Sequence, residues 1–351
     1  MLDMRIVRSP LSEPEYQTIL AEYNRLTGAG IPMNEFLRWV QDSPGGAAWH
    51  ALLQTQEGRV VGHTSLLPVT ARYREARLPA AMSEYSFLHE DFRKLKIVGY
   101  ENVSRPPFIT LLDQLFQHCQ KEGWGPIFAS TNEKNQVFTR KVGLRPAEFP
   151  LTECLLILKP SGAARHTPNI SNGQRSALFA VGLAQKSLWS IARHISGGRN
   201  GIHPVAIGSE TIRPEADRLS FYEERDSFRW RYMAQQYVCY EIAQGQDAYV
   251  VAKCGREDRY VRVCQYRLHS PDSVDSVVRA LIEQARKDKA VGVRWAVYND
   301  GVLSQKIVGR LKRRGFLCAP RVRIVMVHKN FPEYLEPCAW RMSDSHFTFD
   351  P

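Results

Sequence analysis

One pattern occurs twice in this chain and limits what it can fold into. An apolar run ends at an Asn, a short amphipathic segment follows, and that segment closes on Gly. The first occurrence is "GPIFASTNEKNQVFTRKVGL", and the second is "WAVYNDGVLSQKIVGRLKRRGF". In each, a buried strand feeds a helix that a glycine terminates. The chain has 351 residues, enough for two domains of ordinary size. The order of elements around each occurrence is similar, which reads as an internal duplication at low sequence identity.

The first half opens with helical patterns at 14–27 and 34–42. The period then changes to that of strands: "WHALLQT", "RVVGHTSLLPVTARY" and "RLPAAMSEYSFLHE", with Glu57-Gly58 as a hairpin turn. In "PFITLLDQLFQHCQKEGW" Leu111, Leu112, Leu115, Phe116 and Cys119 form one apolar helical face, started by Pro106-Pro107. Strand, helix and the strand "LTECLLILK" complete the copy. In the second half, "QYVCYEIAQ", "DAYVVAKCG" and "RYVRVCQYRL" read as strands. A helix, strand, helix and strand follow, without the long connection that the first copy has between 89 and 107. The spacing predicts α/β architecture with a mixed sheet and some parallel pairing through crossovers. The expected domains are 1–158, a linker with an amphipathic helix at 159–205, and 206–351.

Residues 159–176, rich in Pro, Gly, Ser and Asn, read as the linker proper. The apolar face of 177–195 is expected to pack between domains. Its Lys186, Arg193 and His194 leave contact with a membrane surface as the alternative. Net charge is +11, which favours acidic partners such as phosphate-bearing cofactors, acidic carrier proteins, anionic membranes or nucleic acid. The seven cysteines carry no metal-ligand spacing, so free thiols and no metal are expected. No apolar run of about 18 residues and no signal-peptide pattern is present, and a cytoplasmic location is expected.

Each copy resembles the acyltransferase fold of the GNAT superfamily, the Gcn5-related N-acetyltransferases. The resemblance rests on Asn132, Asn135 and Gly143-Leu144 in the first copy, and on Asn299 and Gly315-Phe316 in the second. The whole chain resembles tandem GNAT proteins through "FLRWVQDSPGGAAWHALLQTQEGRVVGH", through "RDSFRWRY" and through the tail "CAWRMSDSHFTFDP". Many such proteins are encoded in bacterial loci for surface polysaccharide or acylated peptides. The resemblance implies two GNAT-like domains in tandem. It also implies acyl transfer from acyl-CoA, or from an acyl carrier protein, to an amine of a sugar, amino acid or peptide. Two alternatives stay open: a non-catalytic scaffold, and aminoacyl transfer from charged tRNA, for which basic charge is the only support and no RNA-binding motif is visible.

The chain departs from the family in two places. The family's glycine loop for the CoA pyrophosphate is reduced to Gly99 in a longer segment, where Arg93, Lys94, Lys96 and Arg105 are the candidate phosphate ligands. The family's thiolate-protonating Tyr falls at Thr139 and Leu311. The second copy has two Asp where a pyrophosphate would sit and is expected not to bind CoA. On strand four, Glu84 and His89 are the candidate bases, with His63 on the neighbouring strand as a weaker one that would face substrate. Alternation places Glu84, Ser86, Leu88 and Glu90 on one face and Tyr85, Phe87 and His89 on the other. Phe87, Leu88, Asn132, Asn135 and Phe138 are expected along the donor, and Phe128 beside an acyl pocket, although such aromatics more often form core. Arg225, Trp230 and Arg231 either bind an acidic or sugar substrate or clamp the two domains, and the clamp is preferred.

Overall fold

The computed structural model describes residues 2–73, 76–95, 97–98, 104–130, 133–166, 171–195, 202–205, 220–221, 225–232, 237–242, 248–255, 259–299 and 301–335. The first copy begins with a strand, β1 (Leu2–Arg8), that the sequence reading had not assigned. Helices α1 (Glu13–Thr27) and α2 (Met33–Gln41) follow, then the meander β2 (Trp49–Thr55), β3 (Val60–Tyr73) and β4 (Ala76–Leu88). The long connection is not plain loop. It holds a 3-10 turn at Glu90–Phe92 and a small hairpin, β5 (Ile97–Val98) with β6 (Ser104–Arg105). Helix α3 (Pro107–Lys121), strand β7 (Ile127–Ser130), helix α4 (Glu133–Lys141) and strand β8 (Leu144–Ile157) complete the copy.

The expected linker is largely helical. Pro160 starts α5 (Pro160–His166), and α6 (Asn172–Ile195) begins earlier than its apolar face suggested. Pro at a helix start removes an N–H that would have no partner anyway, so it does not oppose the helix. Strands β9 (Ile202–Val205) and β10 (Ser220–Phe221) and helix α7 (Arg225–Tyr232) lead into the second copy. That copy comprises β11 (Tyr237–Ile242), β12 (Tyr249–Cys254), β13 (Tyr260–Arg267), α8 (Ser273–Lys287), β14 (Gly292–Tyr298), α9 (Val302–Arg313) and β15 (Leu317–His328).

Among the described residues one sheet of 13 strands runs through both copies, in the order β1-β2-β3-β4-β7-β15-β8-β14-β13-β12-β11-β9, with β10 paired to β3. The order reveals an exchange. Strand β15, the end of the second copy, lies beside β7 of the first, and β8, the end of the first copy, lies beside β14 of the second. The two exchanged strands pair with each other in unbroken antiparallel register from Leu317↔Leu155 to His328↔Leu144. The parallel pairs β4·β7 and β13·β14 sit symmetrically about this ladder. Both motif helices end at a glycine in the left-handed region, Gly143 at φ 86° and Gly315 at φ 80°. A side chain is strained there, so the repeated Gly stops the helix and turns the chain into the exchanged strand.

The core differs on the two faces of the sheet. On one face a single apolar layer spans both copies, from Phe36 and Trp39 on α2 to Tyr232 on α7, Tyr249, Tyr298 and Val325. On the other face the core is divided between a cluster under α3 and one under α8 and α9. Helix α6 packs on β8. Its buried Gln185 accepts from the Ile157 N–H (2.9 Å) and donates to the carbonyls of Leu155 (3.0 Å) and Gly315 (2.8 Å), so it is tied to both copies. Phe179 and Leu183 on the same helix stay exposed. Among the described residues no helix is long and apolar enough to cross a membrane.

The seam between β8 and β14 leaves no room for a side chain at Gly292. A Cβ there would sit 2.1 Å from the Leu156 carbonyl oxygen and 2.8 Å from the Tyr260 ring. Gly292→Ala should therefore cost about 3 kcal/mol or more by overpacking against rigid backbone. Gly309→Ala, inside α9 with nothing within 4 Å of the new Cβ, should instead gain roughly 0.5–1 kcal/mol. Denaturant unfolding of the two variants checks both signs.

Candidate functional site

Strands β4 and β7 pair in parallel only at Ala81↔Ile127 and Met82↔Phe128, and then part. Beyond Met82 the sheet is open between them. A cavity of about 280 Å³ fills the opening, lined by Tyr23 and Thr27 of α1, Ser83, Glu84, Tyr85 and Ser86 of β4, Phe108 and Leu112 of α3, Ala129 and Ser130 of β7, and Thr139 of α4. These residues belong to both faces of the sheet. A larger hollow of about 860 Å³ lies between β1, β2 and the 92–97 connection. Its carboxylates, Asp3 and Glu57, are exposed, and the β1–β2 ladder beside it is unbroken. The chemistry points to the smaller cleft.

Strand β4 carries a bulge at the opening. Its register against β3 jumps from His63↔Phe87 to Ser65↔Glu84, so Tyr85 and Ser86 together oppose Thr64. Tyr85 adopts φ 51°, an uncommon conformation for a non-glycine residue. The extra residue shifts the alternation between Met82 and Tyr85, which share one core layer, and beyond it Tyr85, Phe87 and Leu88 alternate as the sequence predicts. Tyr85 and Phe87 both enter the core layer shared by the copies, while Leu88 enters the cluster under α3.

Glu84 is half-buried in the cleft wall. Desolvation raises its carboxyl to about 8, partly offset by a hydrogen bond from the Tyr85 N–H. Tyr23 and Tyr85, which meet edge to face at 5.3 Å, are held protonated by burial and by the charge of Glu84. The cleft therefore contains one carboxyl that titrates near neutrality between two neutral phenols. The sequence reading named Glu84 but not Tyr23, since nothing in the α1 pattern ties that helix to strand four.

The other expected residues scatter. His63 is fully buried, with Nδ1 2.7 Å from the Tyr85 carbonyl and Nε2 3.0 Å from Nδ1 of His50, so it cannot meet a substrate from there. His89 does not line the cavity. It lies past the strand end, 3.3 Å from the Asp91 carboxylate and against the Phe92 ring. Phe87 and Leu88 are core rather than donor contacts, because both are buried against neighbouring strands. Phe128 packs on Phe221 in the core.

The basic residues of the long connection do not line the cavity. Arg93 is exposed, with Nε 3.4 Å from the Leu88 carbonyl oxygen, and Lys94 is exposed. Arg105 pairs with Asp113 of α3 at 3.3 Å. Phe138 is largely exposed and touches Phe108 edge to face. Asn132, Lys96, Gly99 and the tail from 336 lie outside the described residues, as do the side chains of Asn135 and Arg225.

At the junction of the copies Trp230 meets Trp39 of α2 edge to face at 4.5 Å. The buried Arg231 guanidinium lies 4.9 Å from the Trp39 ring and donates to the Tyr237 hydroxyl at 2.8 Å. Trp230 and Arg231 thus pack against α2 and β11 and do not line the cavity.

The second copy repeats the parting of the strands, with a hydrogen-bonded Gln beside it. Strands β13 and β14 part after Val263↔Trp295, and β13 has its own bulge at Cys264. Gln265 stands two positions past the last pair, as Glu84 does in the first copy. Tyr232 donates to Gln265 Oε1, and Gln265 Nε2 donates to Tyr249 at 2.9 Å.

No protein-family model and no curated protein sequence matches the chain. Solved structures match its fold. A probable N-acyltransferase from Enterococcus faecalis V583 aligns over 94% of this chain and 73% of its own, with a TM-score of 0.59 at 9% identity. A tandem GNAT protein from the clavulanic acid biosynthesis pathway aligns over 93% of this chain and 98% of its own, with a TM-score of 0.55 at 14% identity. N-myristoyltransferase of Saccharomyces cerevisiae, solved with bound myristoyl-CoA and inhibitors, aligns over 93% and 79%, with a TM-score of 0.54 at 12% identity. The chain has the GNAT fold, twice in tandem.

The raised carboxyl of Glu84 makes a stability prediction. Its folded state favours the protonated form, so its contribution is present at acid pH and is lost as pH rises towards about 8. Glu84→Gln should melt above the wild type at pH 9, with the difference shrinking towards pH 5. Calorimetry across that range measures it.

Proposed function

We propose, with the tandem GNAT fold as premise, that the first copy transfers an acyl group from acyl-CoA to a primary amine. The observation that carries this reading is Glu84: a carboxyl tuned to about 8, inside the cleft that opens where β4 and β7 part. A base of that pKa is matched to an amine near neutral pH. The thioester would approach from the face of α3 and α4 and the amine from the face of α1, meeting at Glu84.

The roles of the lining residues follow from their protonation. Glu84 in its ionised form accepts a proton from the attacking amine, directly or through one water. Tyr23, which keeps its proton, donates a hydrogen bond to the acceptor. Ser86 and Ser130 are the hydroxyls that face the developing oxyanion. Thr139 stands where many relatives hold a Tyr, and its hydroxyl donates to the Gln136 carbonyl at 3.1 Å. Protonation of the departing thiolate then falls to water.

Donor binding would use the start of α3, where Pro106 supplies no side-chain cap and Phe108 reaches the cleft. Unsatisfied N–H groups at a helix start favour a phosphate. The basic surface of the 93–105 connection adds charge to the same side. The second copy, which supplies β15 beside β7, would serve the first as a wall.

The test is turnover of acetyl-CoA and longer acyl-CoAs against a panel of amino sugars, amino acids and peptides, read by free thiol release. Wild-type kcat should rise with pH through a limb near 8. Glu84→Gln should lower kcat by roughly 10²–10⁴-fold, the usual worth of a positioned base, with little change in KM for the thioester. Absence of turnover together with absence of any melting shift by acyl-CoA would refute the reading.

A further inference from the structure

Two thiols meet on the ladder that joins the copies. Cys154 of β8 and Cys318 of β15 are direct partners in its register. Both are free; Cys154 is fully buried and Cys318 half-buried. Among the described residues no other two cysteines oppose each other on neighbouring strands. Residues directly opposite in an antiparallel pair project to the same face. Accordingly both side chains belong to the cluster under α8 and α9, Cys154 within it and Cys318 packed against it.

The backbone of β8 shows which kind of pair this is. At the start of β15, Gln185 takes the Ile157 N–H and the Leu155 carbonyl, and its amide also reaches Gly315. The Pro150 carbonyl and the Leu158 N–H turn the other way, to Asn299 and Val291, which flank β14. Odd-numbered residues of β8 therefore hydrogen-bond towards β15, and even-numbered ones towards β14. Cys154 is one of the latter, so it forms a non-hydrogen-bonded pair with Cys318. Opposite Cα atoms in such a pair are about 4.5 Å apart, with the side chains at their closest. A disulfide spans Cα separations of roughly 4.4–6.8 Å. The pair lies at the short end of that range, where a bond forms without parting the strands and is of the readily reduced kind.

We propose that Cys154 and Cys318 are a reversible oxidation site, at which a disulfide staples the last strand of one copy to the last strand of the other. The oxidant is a small disulfide such as oxidised glutathione. Cys318 is the thiol that solvent reaches. Its neighbour Cys154 and the ammonium of Lys312 lower it, against burial, while the neighbouring Cys318 and burial raise Cys154. Cys318 therefore attacks first, as thiolate, on one sulfur of the oxidant, and one glutathione leaves. Cys154 then loses its proton and attacks the Cys318 sulfur of the mixed disulfide, and the second glutathione leaves. The two protein thiols lose two hydrogens, and the two glutathiones gain them. The step uses neither Glu84 nor the cleft, so it goes beyond the acyltransferase reading and does not depend on it.

The link would act on both ends of the folding equilibrium. The two cysteines lie far apart in sequence, so joining them restricts the unfolded chain. In the folded chain it fixes β15 at Cys318, and the other end of the same strand, Val325 to Val327, pairs with β7 as the far wall of the cleft.

The experiment holds the full native chain in glutathione buffers from fully reduced to fully oxidised. Free thiols are then blocked, and disulfides are mapped by mass spectrometry. Wild type should yield peptides linked through Cys154 and Cys318. Its melting temperature should rise on oxidation by roughly 5 °C or more and return with dithiothreitol. Cys154→Ser should instead hold a glutathione on Cys318 and show no rise, and Cys318→Ser should show neither link nor rise. Cys254→Ser, which alters the other half-buried cysteine among the described residues, should behave as wild type. Free Cys154 and Cys318 in the most oxidising buffer overturn the proposal. So does a link from either to any other cysteine, or a link that leaves the melting temperature unchanged. Should Cys154→Ser fail to fold, the wild-type map and Cys318→Ser decide.

Discussion

The architecture depends on the ladder between β8 and β15 at the centre of the sheet. It joins the last strand of one copy to the last strand of the other, in register along the whole of β15. Strand β15 then pairs outward with β7 of the first copy, and β8 with β14 of the second. Strand β7 has lost β4 as a partner beyond Phe128, so the far wall of the cleft is held by β15. The first copy could not keep its opening without a strand that the second copy provides. This answers why one chain carries the pattern twice: the repeat is half of the wall around a single cleft.

Protonation states in the cleft follow from burial more than from charge pairing. The chain is basic overall, yet Tyr23, Tyr85 and Glu84 are all shifted in the direction that disfavours charge, and desolvation is the largest cause for each. The same physics neutralises His50 and His63 behind them. The cost of keeping these groups dry is met by the shared apolar layer, in which α1, α2 and α7 cover the sheet. The arginines of the Trp39–Trp230 pair complete that cover at the junction of the copies, through ring faces and the Tyr237 hydroxyl. A single carboxyl near its titration point is what remains able to exchange a proton at neutral pH.

Features set by local physics were legible in the sequence. Apolar periodicity, proline starts and glycine stops located α1 to α4, α8 and α9, and alternation located β2, β3 and β4. The motif glycines were read as helix stops and are in the left-handed region. Features set by pairing at a distance were not legible. No residue pattern announces that β15 will leave its own copy, because an apolar strand of that length fits either neighbour equally. The bulge escaped for a related reason: one extra residue in β4 has no local signature, yet it reverses the face of everything beyond it. His63 was placed towards substrate only as a neighbour of strand four, yet it is fully buried, and its partner His50 drew no attention because only pairing of β2 with β3 brings the two rings together. Glu84 was legible as a carboxylate among apolar neighbours, which is a local property.

The parting of the strands in the second copy offers a contrast with the first. Both copies part their strands after a short parallel stretch, and both carry a bulge beside the parting. The residue two places beyond the last pair is Glu84 in one and Gln265 in the other. Glu and Gln have nearly the same shape, so packing alone does not explain the difference. The amide of Gln265 is used in both directions, accepting from Tyr232 and donating to Tyr249. A carboxylate could not donate to Tyr249, and a buried charge there would cost more than the amide. Glu84 instead borders a cavity, beside phenols that keep their protons.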